Sequence, residues 1–359
     1  MHLIYLQDLC HLWMIYHALD RILAMVKDKS ITIHDIARAA GVSPSTVSRV
    51  LNSTTPVAED KRAAVLAAID ELNYRPNAAA QGLASGRSMT IGVVTQSVGS
   101  PFYTAILRGI EQGLQTSGYQ LLFASGNWRM HEERKAVEAL TGRRVDALIV
   151  MGGRLPDEQL RQVAAQVPLV VIGQNVAGLE AHCLRVDNVR GAYQATRHLL
   201  DLGHRRIAHI TGDLSHADAI ERRDGYAQAL ADAGIAVDPQ LIVEGTFVEQ
   251  SGLLALEALI SRAMPFTALF AANDQMAYGA RLALYRRGIR VPEDLSLIGF
   301  DDLFGSAYTT PPLTTVRQPM DEVGRAAARA ALQLLAGQPL APQIFPAELV
   351  VRESTALCR

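Results

Sequence analysis

From Thr90 onward, short apolar runs alternate with longer stretches of helical period, and this alternation narrows the possible folds more than any other feature of the chain. Seven runs read as buried parallel strands: IGVV (91–94), QLLFA (120–124), ALIVM (147–151), LVVIG (169–173), RIAHI (206–210), ALFAA (268–272) and LSLIGF (295–300). They are nearly continuous in apolar residues, as strands covered on both faces are. Between them lie helical stretches such as FYTAILRGIEQGLQTSG, NVRGAYQATRHLLDLG and QMAYGARLALYRRG. Such alternation makes doubly wound α/β sheets. The strands are too many for one compact sheet of this style. Two lobes are therefore expected, with a ligand cleft between them at the carboxyl ends of the strands.

The 359 residues leave room for a small domain ahead of these lobes. That domain reads from ITIHDIARAAGVSPSTVSRVLN (31–52). Thr32 can cap a helix whose apolar face is Ile33, Ile36, Ala37 and Ala40, and Asp35 lies three residues on, within reach of the first-turn N–H groups. Gly41 ends that helix by taking a left-handed conformation. Ser43 caps a second helix, with Pro44 in its first position, Val47 and Val50–Leu51 buried, and Ser45, Thr46, Ser48 and Arg49 on the other faces. Two helices joined by a short Gly-containing turn make a helix-turn-helix, whose second helix enters a DNA major groove. A helical hairpin that merely packs on another element is the alternative. A third helix, Lys61 to Leu72, carries Val65, Leu66, Ile69 and Leu72 at helical spacing, with Ala58 in the cap position.

At this point the chain resembles the LacI/GalR family of transcriptional repressors. The resemblance is carried by DIARAAGVSPSTVSRVLN, ELNYRPNAAAQGLASG, the GVV strand, ANDQMAYGA (272–280), IGFDD (298–302) and PPLTTVRQP (311–319), from about Ile31 to the C-terminus. It implies a small all-α helix-turn-helix head with a hinge helix, followed by a two-lobed domain of periplasmic-binding-protein architecture. The implied division is a DNA-binding domain at 30–76, a hinge at 77–89 and an effector-binding and dimerisation domain at 90–355. Within the last, one lobe takes about 90–187 and 320–347, the other about 188–318 and 348–355, with crossovers near Asp187–Asn188, Pro319 and Ala347. Residues 1–29 lie outside the resemblance. They are apolar and aromatic at helical spacing but lack a basic n-region, and Met25 is the expected start of translation.

A repressor of this type binds a palindromic double-stranded operator as a homodimer and is released or recruited by a small effector, most often a sugar. Ser45 and Arg49 are best placed for base edges, Arg49 for a bidentate contact to guanine. Thr32, Ser43, Thr46, Ser48 and Asn52 complete the surface of the reading helices, while contacts from Pro44 are doubtful. Lys61, Arg75 and Asn77 fall to the phosphates, and Tyr74 is a further DNA-binding candidate. In the hinge, Ala78–Ala80 favour a helix that Gly82 and Gly86 weaken, so it orders only against DNA and a partner hinge. Leu83, one turn after Ala80, stands where the family wedges a leucine into the minor groove. No leucine-heptad tail follows Arg352, which implies a dimer. Between Ile31 and Arg87 six Lys/Arg face five Asp/Glu, so DNA binding must come from local placement of charge.

The cleft candidates are the residues after the strands: Phe102 and Tyr103, Asn127 and Trp128, Gln174, Asn273 and Asp274, Phe300 and Asp301. To these the resemblance adds Arg222, where family members hold ligand hydroxyls or a carboxylate. Amides, carboxylates and an arginine around aromatic rings suit a polyhydroxy ligand. Asn273 and Asp301 read equally well as helix caps, and Phe102, Tyr103 and Trp128 as core or dimer contacts. Tyr193 and Tyr226 read as packing residues. An enzyme is not expected, because Asp301–Asp302 are adjacent acids in a turn and His204, His209 and His216 fit no triad or metal-ligand spacing. No cofactor or metal is expected. A transport-type sugar-binding protein with no DNA role is the rival reading, and it calls for an export signal and no head. The three cysteines (10, 183, 358) are widely spaced and no apolar run reaches membrane-spanning length, which together point to a cytoplasmic protein.

Overall fold

A computed structural model describes residues 31–52, 56–74 and 87–358. The apolar segment at 1–29, Arg75 and the hinge residues Asn77, Ala80 and Leu83 lie outside the described residues, as does the side chain of Asn52. The chain divides into two compact units, 1–84 and 85–359.

The described part of the first unit is a three-helix cluster: α1 (Ile33–Ala39), α2 (Pro44–Asn52) and α3 (Glu59–Glu71). The Asp35 carboxylate accepts from the Thr32 N–H at 3.0 Å and its hydroxyl at 2.7 Å, which ties down the start of α1. Gly41, at φ +64°, makes the turn. Ser43 Oγ accepts the Thr46 N–H at 3.3 Å and starts α2. Ile36, Val47 and Val65 are fully buried where the helices meet, with Ala37 and Ala68 beside them. One expectation fails here. Leu66 is 47% exposed, because α3 buries the stripe Val65–Ala68–Ile69–Leu72 and Leu66 lies one step off it.

The second unit holds two parallel sheets. The strands are β1 (Thr90–Thr95), β2 (Gln120–Ser125), β3 (Ala147–Met151), β4 (Leu169–Ile172), β5 (Cys183–Val186), β6 (Ile207–Thr211), β7 (Ile242–Glu244), β8 (Ala268–Ala271), β9 (Ser296–Ile298), β10 (Thr315–Arg317), β11 (Gln343–Phe345) and β12 (Glu348–Val350). The helices are α4 (Pro101–Leu114), α5 (Met130–Gly142), α6 (Asp157–Ala164), α7 (Asn188–Asp201), α8 (Ala217–Asp232), α9 (Glu249–Ser261), α10 (Asp274–Arg286) and α11 (Met320–Leu335). One sheet has the order β11-β5-β4-β3-β1-β2, the other β7-β6-β8-β9, and β10 pairs antiparallel with β12.

Each sheet is covered on both faces. In the six-stranded lobe α4 and α11 pack on one side and α5 and α6 on the other. In the four-stranded lobe α7 and α8 pack on one side and α9 and α10 on the other. The chain leaves the first sheet after β5 through Asp187, whose carboxylate caps α7 by accepting the Arg190 N–H at 3.0 Å. It returns between β10 and α11, adds β11 at the edge, and crosses again to β12.

Five strands went unread in the sequence: β5, β7, β10, β11 and β12. β5 reads CLRV, four residues interrupted by Arg185, and the others are three residues long. Conversely, LSLIGF forms a strand only over Ser296–Ile298. The chain turns away at Asp301 and Asp302, with φ of +115° and +55°, and sends Phe300 into the core.

Candidate functional site

In the second unit a cavity of about 600 Å³ opens between the lobes at the carboxyl ends of both sheets. Its floor is centred on Arg222, which α8 carries in its second turn. The side chain is 3% exposed. Its Nε donates to Asn188 Oδ1 at 2.9 Å, and its NH1 donates to the Ala272 carbonyl at 2.6 Å. The same NH1 stands 3.7 Å from Asp301 Oδ1. The guanidinium lies over the Phe300 ring, 4.0 Å from its centroid. Asp301 also accepts from Gln318 Nε2 at 2.7 Å.

Burial pushes the Asp301 carboxyl up to about 8, although Arg222 works against the shift. Asp218, on the first turn of α8, is likewise raised by burial and accepts from Asn188 Nδ2 at 3.1 Å. Burial pushes the Tyr103 hydroxyl well above its usual range.

Phe102, Tyr103, Asn127, Trp128, Gln174, Arg222, Asn273 and Asp301 all border the cavity. Some of them are committed elsewhere. Asn273 caps α10 by accepting the Met276 N–H at 2.9 Å and donates to the Phe247 carbonyl at 3.0 Å, so its cap role is realised. Asn127 Nδ2 donates to Glu132 at 2.6 Å, and Gln174 donates toward Asp157 at 3.3 Å. Asp274 and Phe300 do not border the cavity, contrary to expectation. Asp274 is fully buried behind it, where it accepts from the hydroxyls of Ser306 and Thr315 at 2.6 Å each and from the Leu303 N–H at 2.8 Å. Burial pushes its carboxyl up to about 7. It joins α10 to the loop after β9 rather than facing a ligand. Phe300 is the platform under Arg222. Tyr226 is packed in the core, stacked on His209, and its hydroxyl donates to the Ile207 carbonyl at 2.8 Å.

The cavity also recruits Arg154, His216, Asp218, Glu221 and Phe247. Arg154 follows β3 and His216 follows β6, so the rule of searching the loops after strands applies to both. Phe247 follows β7, a strand too short to announce itself.

In the first unit, Ser43, Pro44, Ser45 and Arg49 are exposed at the start and outer side of α2, as are Thr32 and Lys61. Thr46 and Ser48 are half-buried. Ser43 Oγ lies 2.8 Å from Ser45 Oγ and 2.9 Å from Thr46 Oγ1. Tyr74 packs against the head's own core.

A helix-turn-helix and a two-lobed ligand cleft on one chain define a transcriptional regulator that couples a small molecule to DNA. Residues 32–77 match the family model described as bacterial regulatory proteins, lacI family, and residues 196–355 match the periplasmic binding protein-like domain. The chain is 41% identical to the HTH-type transcriptional regulator GalR of Escherichia coli (strain K12), over 90% of this chain and 96% of that protein. It is 36% identical to the HTH-type transcriptional repressor PurR of Vibrio atlanticus, over 88% and 95%. A solved lac repressor dimer bound to operator and the anti-inducer ONPF aligns with TM-score 0.83 at 32% identity, covering 91% of this chain and all of that one. A CelR–cellobiose complex aligns with TM-score 0.69 at 34% identity, covering 90% and 99%. The chain belongs to the LacI family of bacterial regulatory proteins. These relatives are regulators over nearly the whole chain, so the transport-type reading gives way.

Proposed function

We propose that this regulator represses transcription as a cytoplasmic homodimer on a palindromic operator, and that an uncharged saccharide in the inter-lobe cavity sets its operator affinity. The observation that carries the effector class is the charge arrangement around the cavity. Both arginines that line the cavity already stand beside an acidic side chain, Arg154 by Asp213 and Arg222 by Asp301, and the cavity's Glu221 pairs with Arg185. Among the described residues Asp218 has no arginine at ion-pair distance. A phosphorylated or carboxylated sugar would meet the acidic side chains Asp218, Glu221 and Asp301 that line the cavity, whereas hydroxyls can donate to Asp218 and Asp301 and a sugar face can lie on the rings.

The division of labour follows the domains given above: 30–76 for the operator, 77–89 as hinge, and 90–355 for effector and dimerisation. Ser45 and Arg49 would reach base edges, with Thr32, Ser43, Thr46, Ser48, Lys61, Tyr74, Arg75 and Asn77 setting register and Leu83 wedging into the minor groove. A dimer face is supported by Phe304, Tyr308 and Tyr285, 84%, 71% and 80% exposed. The first two are ring neighbours, and Tyr278, on the same helix as Tyr285, is 2.7 Å from Ser306. An effector that touches both lobes favours one lobe arrangement, and operator and effector affinities then shift by one common factor.

The test is fluorescence anisotropy of a palindromic operator-like duplex, titrated with salt, with and without aldohexoses, D-ribose, cellobiose and their phosphates. Tight, salt-dependent binding changed by one uncharged sugar is expected. Saccharide binding with no DNA affinity even at low salt would sink the repressor reading, and a response to a phosphorylated sugar alone would sink the effector class.

A further inference from the structure

At the rim of the cavity the lobes meet through side chains that each lobe presents from a rigid turn. Arg154 follows β3 through Gly152 and Gly153. A Cβ at Gly153, where φ is +150°, would stand 2.0 Å from Glu133 Oε1, so only glycine fits. Glu133 is 1% exposed, and its Oε2 accepts the Arg154 N–H at 2.8 Å. In the same lobe Gln96 accepts the Trp128 N–H at 3.2 Å and donates to the Gly152 carbonyl at 2.8 Å, which ties the Trp128 turn to the Arg154 turn.

The other lobe presents Asp213, just beyond β6. Its Oδ1 accepts the N–H of Ser215 at 2.9 Å and the hydroxyl of the same residue. Its Oδ2 is left for Arg154 NH2, which donates to it across the cleft. Arg154 Nε lies 3.4 Å from His216 Nε2. Beside this pair the Trp128 ring stands edge-on to His216, centroids 4.4 Å apart. It also lies nearly parallel to Phe247, 6.1 Å away at 18°. Trp128 and Phe247 both hold left-handed backbone, φ +58° and +62°, which bulky residues rarely adopt.

We propose that Arg154 and Asp213, with Trp128 seated against His216 and Phe247, form a clasp that holds the lobes together over the ligand and sets how long the effector is retained. Asp213 is a positioning residue in this clasp: it does not line the cavity, and it acts through Arg154. Arg154 and Asp213 come from separate loops of separate lobes, so their pair exists only in one lobe arrangement and favours it in the same direction as a ligand that touches both lobes. Arg185–Glu221 also crosses between lobes, but Arg185 lies two residues before the crossover at Asp187, next to the pivot. Of these two ion pairs, the rim pair is the one that parts when the lobes open.

The ligand half of this proposal rests on the saccharide reading; the closure half does not. The test uses the full chain with Trp13→Phe, which leaves Trp128 as its one tryptophan. It compares Asp213→Ala, Arg154→Ala and the exchanged pair Arg154→Asp with Asp213→Arg. Without ligand, iodide quenching of Trp128 is expected to rise in both single variants and to fall back in the exchanged pair. With whichever saccharide of the panel binds the parent, Asp213→Ala should release it about 10-fold faster, and the exchanged pair should recover to within about 3-fold. A merely structural role would not be rescued by reversing both charges. Unchanged quenching and release in Asp213→Ala, or an exchanged pair no better than the single variants, would overturn the clasp. If no saccharide binds the parent, the effector reading fails and the quenching comparison alone decides the clasp.

Discussion

At the floor of the cavity, polar side chains are answered mainly from within one lobe; at the rim they are answered from the opposite lobe. Arg222 finds Asn188, Ala272, Asp301 and Phe300 without leaving the four-stranded lobe and its crossover. Arg154 and Trp128 find Asp213, His216 and Phe247 only by reaching across. The floor is therefore part of the folded core whatever the lobes do, while the rim reports whether they are together. Ligand chemistry belongs to the first and ligand retention to the second.

The largest effect that separates them is on stability. Arg222→Ala removes the guanidinium that donates to Asn188 and to the Ala272 carbonyl over the Phe300 ring, and strands those buried acceptors, so it should cost about 3 kcal/mol and abolish the effector response. Urea unfolding, read beside the operator assay, measures both. A loss of response at unchanged stability would mean that the floor is a ligand surface and not a core element.

Next comes pH. Asp301 and Asp274 have carboxyls raised to about 8 and about 7 in the folded chain, against about 4 when unfolded. Their stabilising contribution is fully present below pH ~4 and is lost as pH rises through 7 and 8, because the folded state holds protons that the unfolded chain releases. The urea midpoint should fall between pH 5 and 9, and Asp301→Asn should flatten the upper part of that fall. A midpoint that climbs across this range would contradict the assignment.

The smallest effect on stability is expected at the rim. Trp128→Ala should cost about 1 kcal/mol, since the ring is half-buried, yet raise the saccharide Kd about 10-fold. Calorimetric titration beside a thermal melt distinguishes the two. Equal stability losses for Arg222→Ala and Trp128→Ala would erase the distinction between floor and rim.

What the sequence determined by itself was local. Thr32, Asp35, Gly41 and Ser43 act within four residues of themselves, so the helix-turn-helix was legible from caps and spacing alone. β3 was read to the residue because a strand buried on both faces is written as an unbroken apolar run. Seven cavity residues were legible because ligand sites lie beyond strand ends and those ends could be seen, while Arg222, inside α8, was supplied by the family resemblance. The tertiary structure decided what depends on partners distant in the chain. Asp274 and Asp301 are both acids beyond strand ends, and only packing sends one behind the cavity and the other to its floor. β11 and β12 are three-residue strands held by neighbours more than a hundred and about thirty residues away in sequence. The pairing of Arg154 with Asp213 joins two loops of different lobes, and no local pattern could announce it, because a side chain that reaches across a cleft obeys the geometry of the fold and not the period of its own segment.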